Sequence, residues 1–227
     1  MTGIRLWEDK ILLLVQCDFD DTITDGNVSV AIREVFGPDG WRSMEREFQD
    51  GKFSVEESNI RQYALLKASQ KDIEDFVLGD VVLRFGFEQF VEYCRAVEIK
   101  VVIVSSGLDL YIDPVIQPLG YDDLEVYSAQ AQVGEDGITV SYKDPSGAAL
   151  TRGFKESYVR HFKKQGHTVV YVGDGLSDIV PASEADYVIA RDTLEEHSRA
   201  NGLSYHSFET YEDVAKRVEE IRKLVQG

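Results

Sequence analysis

The short apolar run Ile11-Leu12-Leu13-Leu14-Val15 is stopped abruptly by Asp18-Phe19-Asp20-Asp21-Thr22. The run is too short for a buried helix and reads as a buried strand. It places two carboxylates, Asp18 and Asp20, just past a strand end. In an open α/β sheet that is where ligands bind. No apolar core needs acids there, so a partner must neutralise them, and a divalent cation with oxygen ligands is the natural one.

The rest of the chain repeats the theme. Lys100–Val104 and Thr168–Val172 read as strands ending at Ser105-Ser106-Gly107 and Gly173-Asp174-Gly175, and Tyr187–Ala190 as a fourth. Helical patterns fall between them, near residues 86–97, 109–118, 154–165 and 177–185. A last amphipathic helix near 210–225 carries Val214, Val218, Ile221 and Val225 on one face. Alternating strands and helices predict a Rossmann-like three-layer α/β/α sandwich with a mainly parallel sheet.

Two segments break the alternation. Between Asp25 and Val81 only helical patterns occur, such as Val30-Ala31-Ile32-Val35-Phe36 and Ile60-Tyr63-Ala64-Leu66-Lys67. The expected organisation is a core of residues 1–24 and 82–227 with a small helical cap, 25–81, inserted after the first strand. An insertion there sits over the strand ends and can act as a lid. Tyr63, Phe76 and Phe85 read as packing residues. Residues 124–143 alternate and contain Glu135-Asp136-Gly137, a hairpin signal.

Composition excludes several function classes. A formal net charge of −17 over 227 residues argues against nucleic acid as a partner. It does not exclude a small phosphate ester, because a metal and a lysine can reverse the sign within a pocket. No stretch reaches membrane-spanning length and no signal peptide is evident, so the cytoplasm is expected. Cys17 and Cys94 have no zinc spacing and read as reduced, buried thiols. A cysteine phosphatase would need an arginine six residues after Cys17, where Ile23 stands. Gly173-x-Gly175-x-x-Asp178 lacks the third glycine of a dinucleotide fingerprint, and Asp174 would repel a pyrophosphate. No heptad seam names an oligomeric partner.

Four groups then stand in chain order at strand ends or a helix start: Asp18 with Asp20, Ser105, Lys155, and Asp174 with Asp178. Each has a task in phosphoryl transfer. Asp18 can be the nucleophile and form an aspartyl-phosphate. Asp20 can protonate the leaving oxygen and then activate water. Asp18, the Asp20 carbonyl and Asp174 can hold Mg2+. Ser105, Ser106 and the Gly107 amide can bind phosphate oxygens, with Ser105 favoured as the contacting hydroxyl, and Lys155 can offset the charge of the transferring group. Asp178 can orient Lys155 or a metal-bound water.

This order resembles the haloacid dehalogenase superfamily, in its phosphoserine-phosphatase-like branch. The matching residues are Asp18-Phe19-Asp20-Asp21-Thr22, Val104-Ser105-Ser106-Gly107, Lys155 and Gly173-Asp174-Gly175-Leu176-Ser177-Asp178. Phe76-Val77-Leu78-Gly79-Asp80, Gly86-Phe87-Glu88-Gln89-Phe90 and Ala190-Arg191-Asp192 are similar to the methionine-salvage phosphatases acting on 2-hydroxy-3-keto-5-methylthiopentenyl-1-phosphate. The resemblance implies a magnesium-dependent phosphomonoesterase acting on a small phosphorylated metabolite. It further implies that Arg61 matches a cap arginine able to reach a substrate carboxylate or phosphate. The chain departs from the pattern at Asp21 and Ser106, where glycine is usual. It departs again at Asn27, where phosphoserine phosphatases carry a glutamate for the substrate amine. A phosphomutase or phosphotransferase shares these motifs. A phospho-accepting receiver domain shares the residue types, but its acids come in another order and it has no lid.

Overall fold

The computed structural model describes residues 12–226. Ile11, and residues 1–11 of the expected core, lie outside the described residues. Among the described residues eight strands form one sheet in the order β5-β4-β3-β2-β1-β6-β7-β8. These are β1 (Leu12–Cys17), β2 (Lys100–Leu108), β3 (Glu125–Gly134), β4 (Gly137–Lys143), β5 (Ala149–Leu150), β6 (His167–Gly173), β7 (Tyr187–Ala190) and β8 (His206–Ser207). Strand β1 is central and parallel to both β2 and β6. The β2–β3, β6–β7 and β7–β8 pairs are parallel as well. The chain leaves β1 toward one edge and returns through β6 to the other, so the crevice at the carboxyl end of β1 is the topological switch point.

The hairpin forms as expected. Strands β3 and β4 pair antiparallel, with Gly134 opposite Gly137 and a two-residue loop, Glu135-Asp136. Gly137 has φ +147°, and a Cβ there would collide with the Ala64 carbonyl group, so glycine lets the hairpin abut the helical segment. Strands β5 and β8, each two residues long, carry no periodic signal and were not foreseen. Strand β2 runs on to Leu108 rather than ending at Val104.

Helices α1 (Val28–Phe36), α2 (Trp41–Gln49), α3 (Val55–Tyr63) and α4 (Gln70–Asp80) lie between β1 and the next core helix, α5 (Phe87–Ala96). Their starts are written in the sequence. Asn27 accepts from the Val30 amide, and Ser54 with Glu57 and Ser69 with Asp72 form capping boxes. The segment enters and leaves at one place: Asp25 donates to the Val82 carbonyl at 2.8 Å and Arg84 donates to the Ile23 carbonyl at 2.7 Å. The Arg84 side chain is buried and donates to the carbonyls of Asp21, Thr22 and Thr24, fixing the loop after β1.

The remaining helices are α6 (Asp109–Ile116), α7 (Phe154–Lys164), α8 (Ile179–Glu184), α9 (Asp192–Ala200) and α10 (Tyr211–Gln226). The segment expected from residue 177 opens as a 3-10 turn, Leu176–Asp178, before α8. Helix α9 was not foreseen. Helix α10 buries Val214, Val218 and Ile221 as its periodicity requires, and its Tyr211 ring packs against Phe87 and Phe90 of α5. Tyr63 is fully buried and Phe76 packs against Phe36, but Phe85 is 68% exposed, contrary to its apolar character. Cys17 and Cys94 are free and buried. No helix among the described residues is long and apolar enough to cross a membrane.

Candidate active site

Asp18 follows β1, Ser105–Gly107 end β2, Asp174 follows β6 and Lys155 lies in the first turn of α7. They converge at the switch point, lining a cavity of about 130 Å3 with Asp20, Asn27, Ser29, Arg33 and Asn59.

Lys155 is the hub. Its Nζ lies 2.8 Å from Asp18 Oδ1 and 2.7 Å from Asp178 Oδ1, and it donates to Ser177 Oγ at 3.1 Å. Its backbone is fixed from two sides. Gln16 of β1 donates to the Lys155 carbonyl, and the preceding Phe154 amide donates to the buried Glu56 carboxylate of α3. Gly153, before α7, has no side chain to cap the helix, so Glu56 satisfies an amide that helix starts leave open. Burial would lower the Lys155 pKa, but the charges and hydrogen bonds of Asp178 and Asp18 outweigh it and raise it.

Asp178 is fully buried and saturated. Oδ1 accepts from Lys155 and from the Tyr171 hydroxyl at 2.6 Å, and Oδ2 accepts from the amides of Asp174 and Gly175. Gly173 allows this approach, since a Cβ there would lie 2.7 Å from Asp178 Cγ.

Asp18 differs. Its Oδ1 is buried and ion-paired to Lys155 but receives no well-directed hydrogen bond. Burial and then the Asp178 charge push its pKa up to about 7, against the pull of Lys155. Asp174 accepts from the Thr22 hydroxyl at 2.9 Å, and burial with the charges of Asp178 and Asp18 drives it up to about 9. Carboxylate oxygens of Asp18, Asp174 and Asp178 lie within 4.8 Å of one another, the one such cluster among the described residues. The donor set fits a hard divalent cation: all oxygen, crowded, short of positive charge, and with an orphaned buried oxygen on Asp18. Asp178 already takes four donors, which leaves Asp18 and Asp174 as the carboxylates able to hold it.

Asp20 is held by residues the sequence did not mark. Tyr111 of α6 donates to Oδ2 at 2.6 Å, and the Ser29 amide of α1 donates to Oδ1 at 3.0 Å. Burial raises its pKa, opposed by these two hydrogen bonds and by Arg33. Gly107 makes the contact possible: a Cβ there would overlap the Tyr111 hydroxyl and lie 3.0 Å from Asp20 Oδ2. Tyr111 sits in a helix whose pattern reads only as apolar, so nothing local announces it.

Ser105 Oγ accepts from the Gly107 amide at 3.0 Å, whereas the buried Ser106 Oγ has no partner. Both line the cavity. The Ser106 carbonyl is gripped by Asn59 Nδ2 at 2.8 Å and the Tyr142 hydroxyl at 2.7 Å. Asn27 lines the cavity while capping α1. Arg61 is not brought to this cavity. It is exposed on α3, its guanidinium 3.8 Å from the Phe53 ring centroid. The arginine lining the cavity is Arg33, 4% exposed, which donates to Ser29 Oγ and pairs with Glu45 at 3.4 Å. Asp21 has φ +58°, the left-handed region where glycine is at ease.

The family model for haloacid dehalogenase-like hydrolases matches residues 15–182. A 2-hydroxy-3-keto-5-methylthiopentenyl-1-phosphate phosphatase of Brevibacillus brevis is 31% identical over 217 residues, 94% of this chain and 98% of that protein. The enzyme of the same name from Geobacillus thermodenitrificans is 29% identical, over 95% of this chain and 99% of its own. A substrate-bound phosphoserine phosphatase superposes with a TM-score of 0.69 at 18% identity, over 92% of this chain and 99% of its own, which shows a shared fold. Curated relatives matched along nearly their whole length are phosphatases, and the strand-end acids, lysine and hydroxyls stand where the sequence placed them. The chain therefore belongs to the haloacid dehalogenase-like hydrolases, and it is a phosphatase of that family.

Proposed function

We propose that the protein is a magnesium-dependent phosphomonoesterase that carries the phosphoryl group on Asp18, acting on 2-hydroxy-3-keto-5-methylthiopentenyl-1-phosphate or a close analogue, with residues 25–81 as its cap over a core of residues 1–24 and 82–227. The observation that carries this reading is the pairing of two carboxylates in opposite states of satisfaction. Asp18 presents a buried oxygen without a directed donor, and Asp20 is held on both oxygens.

In the first step an Asp18 carboxylate oxygen attacks phosphorus. The bond from phosphorus to the ester oxygen breaks, and Asp20 gives its proton to that oxygen. In the second step water attacks phosphorus, its proton passes to Asp20, and the Asp18–phosphorus bond breaks to release inorganic phosphate. A pKa raised by burial suits Asp20 to hold the proton that the first step needs. Lys155 offsets phosphoryl charge, and Asp178 fixes its ammonium. The Ser105 and Ser106 hydroxyls and the nearby amides bind phosphate oxygens. Mg2+ held by Asp18, Asp174 and the Asp20 carbonyl would supply charge neutralisation at the transferring phosphate. Asn27 in place of an amine-binding acid weighs against phosphoserine as the substrate.

The test is phosphate release from a panel of phosphomonoesters, including the methylthiopentenyl compound, with Mg2+ and with chelator. Release lost on chelation and absent in Asp18→Asn supports the reading. Release that persists in Asp18→Asn sinks the mechanism, and indifference to the methylthiopentenyl ester sinks the substrate.

A further inference from the structure

The cavity around Asp18 adjoins a second one of about 280 Å3, and the two share six lining residues. Three are polar and belong to the phosphate site: Ser106, Lys155 and Ser177. Three are apolar: Phe48 and Val55 from the helical insertion, and Leu176 from the turn after β6. Away from these shared residues the second cavity is walled by Phe53 and Val180. Leu176 and Val180 are 42% and 50% exposed, large apolar side chains left open to water beside a polar centre.

Most charges on the second cavity's rim are already engaged. Glu56 accepts the Phe154 amide, Arg152 pairs with Glu57 at 3.2 Å, and Lys155 is held by Asp18 and Asp178. Glu156 is an acid in the first turn of α7, and it would repel an anionic group. Arg61 stacks against Phe53, so it backs a wall of this cavity instead of reaching the phosphate.

We propose that the second cavity is the subsite for the non-phosphorylated end of the substrate, and that it takes an uncharged, largely apolar group passing between Phe48, Val55 and Leu176. The assignment rests on the phosphatase reading for the placement of the phosphoryl end. It goes further in naming the residues that select the other end. Each methylene that leaves water for such a cavity strengthens binding about fourfold. A charged end would have to break one of the pairs on the rim or lose its hydration there.

Binding of non-hydrolysable alkylphosphonates, measured by calorimetry on the whole protein with Mg2+, tests the subsite without turnover. Hexylphosphonate is expected to bind at least tenfold more tightly than ethylphosphonate, and 5-carboxypentylphosphonate no more tightly than ethylphosphonate. Val55→Ser on the insertion and Leu176→Ser on the core should each compress the hexyl-to-ethyl ratio severalfold, with melting curves checking the fold. A native ratio within twofold overturns the proposal, as does equal binding of the carboxypentyl or a 6-aminohexyl compound, or no binding of any phosphonate. Phosphate release from the ester panel decides the phosphatase reading separately, so the two can fail independently.

Discussion

The two sides of the site are built differently. On the sheet side the lysine and the acid beside it are tied down: Asp178 takes four donors, Lys155 has three side-chain partners, and its backbone is anchored to β1 and α3, while Asp18 Oδ1 and Ser106 Oγ are left without a directed partner. On the insertion side hydrogen-bonding capacity is left over. Arg33 Nε and Gln62 Oε1 are buried without partners, and the contacts from Arg33 to Asn59 and Glu45 are long, 3.5 and 3.4 Å. The contrast separates two tasks. Under the proposed function, phosphoryl transfer needs a fixed lysine charge, and Asp178 organises that charge in advance. On the same reading, the insertion's polar groups keep donors and acceptors in reserve for the polar part of a substrate.

Substitutions test this division. Asp18→Asn should lower kcat by on the order of 10^4-fold or more while thermal melting stays near that of the native protein, because the change removes a charge crowded by Asp178. Gly107→Ala should follow, with kcat falling about 100-fold, since the new methyl displaces Tyr111 and Asp20 together. Arg33→Met should mainly raise KM, about tenfold, with kcat changed less than about threefold. A kcat loss as large as that of Gly107→Ala would erase the distinction between the two sides.

Tyr111→Phe should cost about fivefold in kcat and move the pH profile. The Tyr111 hydrogen bond lowers the Asp20 pKa. Without it Asp20 keeps its proton to higher pH, so the alkaline limb of kcat against pH shifts upward. A shift downward would remove Tyr111 from its positioning role. Smallest is Asp21→Gly. Release from the left-handed conformation and the added freedom of the unfolded chain oppose each other, leaving stability within about 1 kcal/mol in denaturant unfolding.

The same division explains what the sequence disclosed. Asp18, Ser105 and Asp174 were legible because strand ends are marked by apolar runs that stop, and polar residues at such stops have no packing purpose; Lys155 opens a helix and was marked by its place in the order of the motifs. Apolar spacing such as Val30-Ala31-Ile32-Val35-Phe36 announced helices in the insertion. Arg33, Asn59, Tyr111 and Tyr142 were not legible. Each sits inside a helix or strand whose pattern reads as ordinary amphipathic structure, and its approach to the site depends on contacts up to 91 residues apart. Arg61 and Arg33 lie on faces of different helices: the Arg61 guanidinium rests on the Phe53 ring, and Arg33 lines the cavity. Helix α9 and the two-residue strands are carried by tertiary packing more than by local periodicity.

The Glu56 carboxylate that accepts the Phe154 amide gives the insertion a grip on the helix that carries Lys155. The helix start bearing Lys155 is completed by a side chain from another part of the chain, on the insertion rather than on the core. Any excursion that lifts α3 from the core uncaps α7 one residue before Lys155, at a cost of about 0.5–2 kcal/mol. Under the proposed function, opening the site and uncapping the helix of its lysine are thereby one event: the helix is least supported at the moment when bulk water can reach a transferring phosphate.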